Sequence, residues 1–167
     1  EDVPLSAIAE AVGTPVYVYS RATLIRHARV FREAFAALPR IHLAYAMKAN
    51  PNLAVLKVLA GEGYGADIVS GGELERAQAA GMPAADVVFS GVGKDAKEMR
   101  RALEVGLGQF NLESEEEGVE LAALASAMGS QAVCTLRVNP DVDAGTHAKI
   151  STGKAENKFG VAYDAAA

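Results

Sequence analysis

The sequence predicts an α/β fold made of repeated strand and helix units, and three observations support this prediction. Short apolar segments alternate with segments that have apolar residues at helical spacing, with a period of about 20 to 30 residues. Glycines end several of the helical segments, and polar residues or glycines follow each apolar segment. Strands that alternate with helices form parallel sheets, and right-handed crossovers bring the carboxyl ends of the strands to one side.

The predicted elements follow one another in a regular order. The first unit is an apolar and aromatic strand at residues 14–20 and a helix in which Leu24, Ala28, Phe31 and Phe35 recur at helical spacing. The later strands are "IHLAYAMKA", "GADIVS", "DVVFSGV", "GQFNLES" and "AVCTLRVNP". The helices between them are "NLAVLKVLAGEG", "GGELERAQAAGM", "DAKEMRRALEVG" and "EEEGVELAALASAMG".

A series of strand and helix units can form either an open doubly wound sheet or a closed barrel. An open sheet normally carries a nucleotide-binding glycine motif after its first strand. Here "GEGYGA" precedes a strand, and "SGVGKD" lacks residues of a phosphate-binding loop. A barrel carries functional residues at many strand ends. Polar residues stand at the predicted strand ends at Lys48, Asp67, Ser70, Ser90, Asn111, Glu113, Arg137 and Asn139.

The sequence therefore predicts the N-terminal portion of a (β/α)8 TIM-type barrel. Such a barrel needs eight strands and typically about 250 residues. The spacing supplies roughly five or six strands. We expect the remainder of the barrel to follow residue 167.

Composition excludes several classes of protein. The 167 residues are 50% hydrophobic and 22% charged, which is typical of a globular domain with a core. The net charge of −5 and the scattered lysines and arginines argue against a nucleic-acid surface. No apolar stretch approaches the roughly 20 residues that span a bilayer, and the acidic N-terminus is unlike a signal peptide. We therefore expect a cytoplasmic protein that binds neither membrane nor nucleic acid.

The cysteine and histidine content argues against a disulfide or a metal site. Cys134 is the single cysteine, so no disulfide can form within the chain. His27, His42 and His147 are far apart in the sequence and show no metal-binding spacing. We therefore expect no bound metal.

Lys48 and Asp67 are the candidate catalytic residues. Lys48 ends an apolar strand, and a lysine that stays neutral in such a place is a good nucleophile toward carbonyl groups. The alternative is a lysine whose ammonium group reaches solvent from the strand end. Asp67 lies inside the end of the next strand, where an acid requires a cationic partner. The alternative is a helix cap, although Ser70 and Gly71 lie nearer to the following helix.

Six segments, in order along nearly the whole chain, carry a family resemblance. They are "YAMKANPN", "YGADIVSGGELERA", "FSGVGK", "FNLES", "LRVNP" and "HAKISTGKAENKFG". Together they resemble the N-terminal half of the diaminopimelate decarboxylase family, pyridoxal-phosphate enzymes of the alanine-racemase-like barrel class. The last segment favours this family over ornithine and arginine decarboxylases, which share the lysine and the aspartate.

The resemblance implies an activity and a cofactor. The activity is pyridoxal 5'-phosphate-dependent decarboxylation of meso-2,6-diaminopimelate to L-lysine and CO2, the last step of lysine biosynthesis, in a homodimer. One alternative is another barrel-type decarboxylase acting on ornithine or arginine. Two others are a noncatalytic decarboxylase-like scaffold and a small pyridoxal-phosphate carrier.

The resemblance also implies roles for four residues. Lys48 is similar to the lysine that holds pyridoxal phosphate as a Schiff base, and Asp67 to the acid beside it. Glu73 and Arg137 match positions that support the cofactor. Their alternatives are an acid in the first turn of a helix for Glu73 and a structural ion pair for Arg137. Residues 147–158 resemble a loop at the active-site mouth and dimer interface, and alternatively form a solvated loop.

The resemblance divides the chain in two. Residues 1–20, with "VYVYS", are similar to a strand segment associated with a separate β-domain, and residues 21–167 to part of the cofactor-binding barrel. In the family, the phosphate-binding loop and the residues that contact the substrate would follow residue 167. We therefore expect the 167 residues alone to be inactive.

Overall fold

The computed structural model describes residues 1–142 and 159–163. The helices are α1 (Leu5–Val12), α2 (Arg21–Ala34), α3 (Leu53–Gly61), α4 (Gly71–Ala79), α5 (Ala96–Glu104) and α6 (Glu115–Ala127). The strands are β1 (Ala44–Ala46), β2 (Gly65–Ile68), β3 (Val87–Phe89), β4 (Gln109–Leu112), β5 (Cys134–Leu136), β6 (Val138–Asn139) and β7 (Val161–Ala162). None of the helices in this part of the chain has both the length and the apolar content needed to cross a bilayer.

Strands β1 to β5 form one parallel sheet in which each strand pairs with the next one in the chain. This order distinguishes the two closures. An open doubly wound sheet reverses its strand order at a switch point. The strands of a (β/α)8 barrel instead follow one another around the barrel axis. The chain is thus the N-terminal portion of a barrel, as the sequence predicts.

One residue, Arg137, separates β5 from β6. Its backbone N–H donates to the carbonyl of Leu112 in β4 at 2.9 Å, and its carbonyl accepts from the N–H of Val161 in β7 at 2.8 Å. On either side of this residue, β5 pairs with β4 and β6 pairs in parallel with β7. The two segments therefore act as one barrel strand, and β7 occupies the next position.

The core lies between one face of the sheet and the helices. Ile68, Phe89 and Phe110 are at most 1% exposed, and the rings of Phe89 and Phe110 stack with their centroids 6.3 Å apart. Successive side chains of a strand point to opposite faces. Asp67 in β2 and Asn111 in β4 are therefore on the inner face, and both are only partly buried.

Polar caps begin α2 and the four helices that follow strands β1 to β4. The N-cap side chains that accept a backbone hydrogen bond are Ser20, Asn52, Ser70, Asp95 and Ser114. Asp95 and Glu98 form a reciprocal capping box, and Glu98 also accepts from the N–H of Gly71 at 2.7 Å. Each such cap contributes about 1 kcal/mol, and the four caps that follow β1 to β4 fix the loops at the carboxyl ends of these strands.

The N-terminal region differs from the prediction in two ways. Residues 14–20 form no strand with any described residue, and Val16, Tyr17 and Tyr19 are exposed. A strand needs a neighbouring backbone for its hydrogen bonds, and β propensity alone does not provide one. Helix α1 is an element that the sequence analysis missed. The division of the chain at residue 20 stays a prediction.

Gly108, which precedes β4, should tolerate no side chain. A Cβ atom there would lie 2.0 Å from the carbonyl oxygen of Ala85, and a backbone atom cannot rotate away. We expect Gly108→Ala to lower the free energy of unfolding of the complete protein by about 3 kcal/mol. At Gly61 in α3 a Cβ would meet nothing within 4 Å, so Gly61→Ala should change it by at most about 1 kcal/mol. Denaturant unfolding measures both, and equal effects would contradict the steric argument.

Candidate active site

A polar cleft of about 470 Å³ lies at the carboxyl ends of the strands. Its lining includes Lys48, Asp67 and Arg137, which are three of the four predicted site residues. The other polar side chains that line it are Ser90, Asn111, Glu113 and Thr135. Functional residues of β/α barrels lie at this end of the strands. The polar strand ends seen in the sequence therefore meet in one cleft.

Lys48 lies in a short 3-10 helix, Met47–Ala49, that directly follows β1. Since β1 ends at Ala46, the strand is shorter than predicted and Lys48 lies beyond its end. Met47 is fully buried and anchors this turn, whereas Lys48 is exposed and lines the cleft. The prediction that Lys48 ends the apolar strand is therefore wrong, because the chain turns after Ala46, before it reaches Lys48.

Two asparagines hold the backbone that follows Lys48. The side-chain oxygen of Asn50 accepts from the N–H of Asn52 at 3.0 Å. The side-chain oxygen of Asn52 in turn accepts from the N–H of Ala54 at 2.9 Å and caps α3. The segment "KANPN" thus forms a tightly bonded connection between Lys48 and the next helix.

Asp67 heads a chain of hydrogen bonds between side chains of neighbouring strands. Ser90 Oγ donates to Asp67 Oδ1 at 2.6 Å, and Asn111 Nδ2 donates to Ser90 Oγ at 2.9 Å. Thr135 Oγ1 and Gln109 Nε2 donate to Asn111 Oδ1 at 2.6 and 2.7 Å. Asp67 therefore lies at one end of a polar network on the inner face of the sheet.

Glu113 is buried, with 5% of the residue exposed, and its carboxylate joins three segments of the chain. Its Oε1 accepts from Arg137 Nη1 at 3.2 Å and from the N–H of Gly91 at 3.1 Å. Its Oε2 accepts from the N–H of Gly160 at 3.0 Å. Arg137 therefore belongs to a structural ion pair, as one interpretation of the sequence holds, and it lines the cleft as well.

Behind this site, Lys94 is buried with a partner. Its side chain is 0% exposed, and Nζ lies 2.6 Å from Glu117 Oε1. Nζ also donates to the carbonyl of Gly91 at 2.5 Å and lies 5.6 Å from the ring centroid of Phe89. The other carboxylate oxygen of Glu117 accepts from the N–H of Glu113 at 3.0 Å. This ion pair supports both the Gly91 loop and the backbone of Glu113.

Glu73, the fourth predicted residue, is held at the start of α4. Its Oε2 accepts from the N–H of Val69 at 2.7 Å, and its own N–H donates to Ser70 Oγ at 3.3 Å. Glu73 is thus an acid in the first turn of α4, as one interpretation of the sequence holds, and its carboxylate bonds the backbone just before the Ser70 cap. A contribution of Glu73 to cofactor binding stays a prediction.

The predicted loop at residues 147–158 lies outside the described residues. Phe159 follows this segment and its side chain lines the cleft. Its ring centroid lies 4.8 Å from the Arg137 guanidinium. The Phe159 carbonyl accepts from Asn139 Nδ2 at 3.2 Å. The residues near both ends of the segment are thus joined beside the cleft.

Two side chains of the sheet have raised pKa values. Burial raises the pKa of the Tyr45 phenol, with a smaller contribution from Tyr19. Partial burial, followed by the negative charge of Glu117, raises the pKa of the Cys134 thiol. A raised pKa lowers the fraction of thiolate, the nucleophilic form, near neutral pH.

Sequence reasoning noted Ser90, Asn111 and Glu113 at strand ends without assigning them a role, and it missed the pair of Lys94 and Glu117. A signal for Glu117 was present, because "SEEE" has a serine three residues before an acid, which is the pattern of a capped helix. The Ser114 side chain does accept from the Glu117 N–H at 3.2 Å. Nothing in the sequence pairs that acid with Lys94, since the contact depends on how α6 packs.

Comparison with known proteins gives closely related sequences and structures. A diaminopimelate decarboxylase of Pseudomonas fluorescens is 58% identical over 163 residues, which cover 97% of this chain and 39% of that protein. The Helicobacter pylori diaminopimelate decarboxylase, solved in complex with L-lysine, superposes with a TM-score of 0.90 at 41% identity. That match covers 98% of this chain and 41% of that one.

A lysine/ornithine decarboxylase of Vibrio vulnificus, solved with putrescine, is a more distant neighbour. Its TM-score is 0.62 at 25% identity, and the match covers 78% of this chain and 38% of that one. The chain thus spans about two fifths of the length of each of these relatives.

The family model described as "pyridoxal-dependent decarboxylase, pyridoxal binding domain" matches residues 21–167. These residues include all five strands of the main sheet and every side chain of the cleft named above. A match over this length establishes the family. The chain therefore belongs to the pyridoxal-dependent decarboxylases, as a part of their pyridoxal binding domain.

Proposed function

We propose that the complete protein is a diaminopimelate decarboxylase that converts meso-2,6-diaminopimelate to L-lysine and CO2 with pyridoxal 5'-phosphate. The observation that carries this proposal is the primary amine of Lys48 in one cleft with Asp67 and Arg137, at the carboxyl ends of the barrel strands. The names of the close relatives and the L-lysine bound to the Helicobacter pylori enzyme support the choice of substrate.

The residues of the cleft fit pyridoxal phosphate. Lys48 offers an exposed primary amine, the group that reacts with an aldehyde. Asp67 offers a carboxylate on the inner face of the adjoining strand. Arg137, whose side chain is 38% exposed, offers a cation for an anionic group of cofactor or substrate.

Each of these side chains then has a distinct task. Lys48 would hold the cofactor through its primary amine, the group that reacts with an aldehyde such as that of pyridoxal phosphate. Asp67 supplies a fixed negative charge at the same strand edge, where it can orient a cation. Arg137 is held by Glu113 at 3.2 Å and presents its remaining donors to the cleft. When bound, pyridoxal phosphate supplies the electron sink for the electron pair left at Cα after CO2 departs.

Glu73 has a supporting place in this proposal. Its carboxylate bonds the backbone directly after β2, the strand that carries Asp67. We infer that it stabilises the loop beside the cofactor and does not contact the reacting atoms.

Peptide mapping after borohydride reduction tests the proposed attachment site. Reduction of the complete protein loaded with pyridoxal phosphate should fix the pyridoxyl group on Lys48. The chain offers internal controls in Lys57, which is exposed on α3, and in the buried Lys94. Recovery of the label on either of these lysines would contradict the assignment.

Release of CO2 from four amino acids tests the substrate. We expect turnover with meso-diaminopimelate to exceed that with ornithine, arginine or lysine, because the close relatives bear that activity in their names. Faster release from ornithine would favour the lysine/ornithine branch, to which the Vibrio vulnificus enzyme belongs. Cofactor binding without CO2 release from any of the four would favour a scaffold or a carrier.

Assembly and location are further parts of the proposal. We infer that the complete protein acts as a homodimer in the cytoplasm, as expected for an enzyme of amino-acid biosynthesis. Sedimentation of the complete protein at micromolar concentration, with and without pyridoxal phosphate, measures its assembly. A monomer under both conditions would contradict the dimer.

A further inference from the structure

Four side chains on adjacent strands form a continuous line of hydrogen bonds that ends at Asp67. From β5 to β2 the line runs through Thr135, Asn111, Ser90 and Asp67, with donor to acceptor distances of 2.6, 2.9 and 2.6 Å. Asn111 and Thr135 are directly opposite one another in the sheet. All four residues line the cleft, so the line is part of its wall.

The chemistry of the groups fixes the direction of every bond. The Asp67 carboxylate has only acceptor oxygens, so Ser90 must donate to it. A hydroxyl has one hydrogen, and Ser90 therefore accepts from the amide nitrogen of Asn111. This orientation turns the amide oxygen of Asn111 toward Thr135 and Gln109, which both donate to it. Each member thus keeps the next one in a single orientation.

Asp67 depends on this line for its orientation. Among the described residues, Ser90 is the one that donates a hydrogen bond to the Asp67 side chain, and it does so at Oδ1. A carboxylate that accepts one short bond from a fixed hydroxyl has a defined rotamer. Without that bond the carboxylate is free to rotate about its side-chain torsions.

We propose that Ser90 and Asn111 are positioning residues that orient the Asp67 carboxylate toward the cofactor bound at Lys48. This inference rests on the proposed function, since it assumes that Asp67 acts on the cofactor. Ser90 and Asn111 act through Asp67, and Thr135 with Gln109 holds the far end of the line. The order of influence is therefore Ser90 first and Asn111 second.

A double-mutant cycle in the complete protein separates this role from a structural one. Ser90→Ala should weaken pyridoxal phosphate binding, measured by absorbance titration of the apoprotein, and lower kcat, each by about tenfold. In the Asp67→Asn background the same Ser90→Ala change should alter either quantity by less than about twofold. Ser90→Thr, which keeps the hydroxyl, should restore most of the loss.

Matched controls and contrary outcomes complete the cycle. Ser126→Ala removes a hydroxyl from the exposed face of α6 and should leave the affinity, kcat and thermal midpoint unchanged. Equal losses from Ser90→Ala with and without Asp67→Asn would overturn the proposal, as would a loss that tracks a lowered thermal midpoint. Unchanged cofactor affinity and kcat in Ser90→Ala would overturn it too.

Two measurements keep this inference distinct from the substrate assignment. The cofactor titration needs no substrate, so it reports on the line of hydrogen bonds even if diaminopimelate is not decarboxylated. Failure of CO2 release with an intact cofactor cycle would count against the proposed function alone. Additive effects of the two substitutions on cofactor affinity would count against the positioning role alone.

Discussion

Replacing Lys48 with arginine in the complete protein should lower CO2 release by about a thousandfold or more, which corresponds to roughly 4 kcal/mol of transition-state stabilisation. Arginine keeps the positive charge and much of the length of the side chain. Its guanidinium stays protonated and does not bind an aldehyde carbon covalently. The substitution thus removes the nucleophile while preserving the charge balance of the cleft.

The position of Lys48 in the turn after β1 makes the outcome specific to chemistry. Met47, and not Lys48, packs this turn into the core, so replacement of Lys48 should shift the thermal midpoint by only a few degrees. Lys57→Arg, at an exposed position of α3, is the matched control and should retain full turnover. Turnover near the wild-type rate in Lys48→Arg would show that Lys48 is not the attachment site.

The second large effect is expected from Lys94→Met, and it concerns stability. The Lys94 ammonium lies 2.6 Å from Glu117 in a side-chain environment with 0% exposure. Removing one member of a buried ion pair leaves the other charge without compensation. We therefore expect the free energy of unfolding of the complete protein to fall by roughly 3 to 5 kcal/mol, measured by denaturant unfolding.

A second substitution and a surface control test the cause of this loss. Adding Glu117→Gln to Lys94→Met removes the uncompensated charge but leaves an oxygen that can accept from the N–H of Glu113, so it should recover part of the stability. Arg101→Met breaks a pair with Glu75 in which both side chains are well exposed, and it should cost less than about 1 kcal/mol. A loss of similar size for Lys94→Met and Arg101→Met would contradict the burial argument.

The meeting of polar residues from several strand ends in one cleft could be predicted from the sequence, because it follows from a single rule of parallel sheets. Parallel strands joined by right-handed crossovers place their carboxyl ends together, so a polar residue at each end predicts a shared cleft. Lys48, Asp67 and Arg137 satisfy this rule, and the structure brings them together. The order of the strands followed from the same repeated pattern.

The remaining features depend on contacts that the sequence pattern does not contain. Residues 14–20 have the composition of a strand, but pairing requires a second backbone in the right place. Lysine is a residue type usually found at the surface. The burial of Lys94 results from the position of α6 against the Gly91 loop. The end of the first strand of the sheet was mispredicted because the chain turns after Ala46, before it reaches Lys48.

The Glu113 carboxylate has a consequence for the order in which the chain folds. It joins residues 22, 24 and 47 positions away in the sequence, at Gly91, Arg137 and Gly160. Contacts over such separations close larger loops than the pairing of a helix with its own strand, and loop closure costs more entropy as the loop grows. Secondary structure should therefore form before this junction does. We therefore expect a half-folded chain to have its helices before it has the complete cleft.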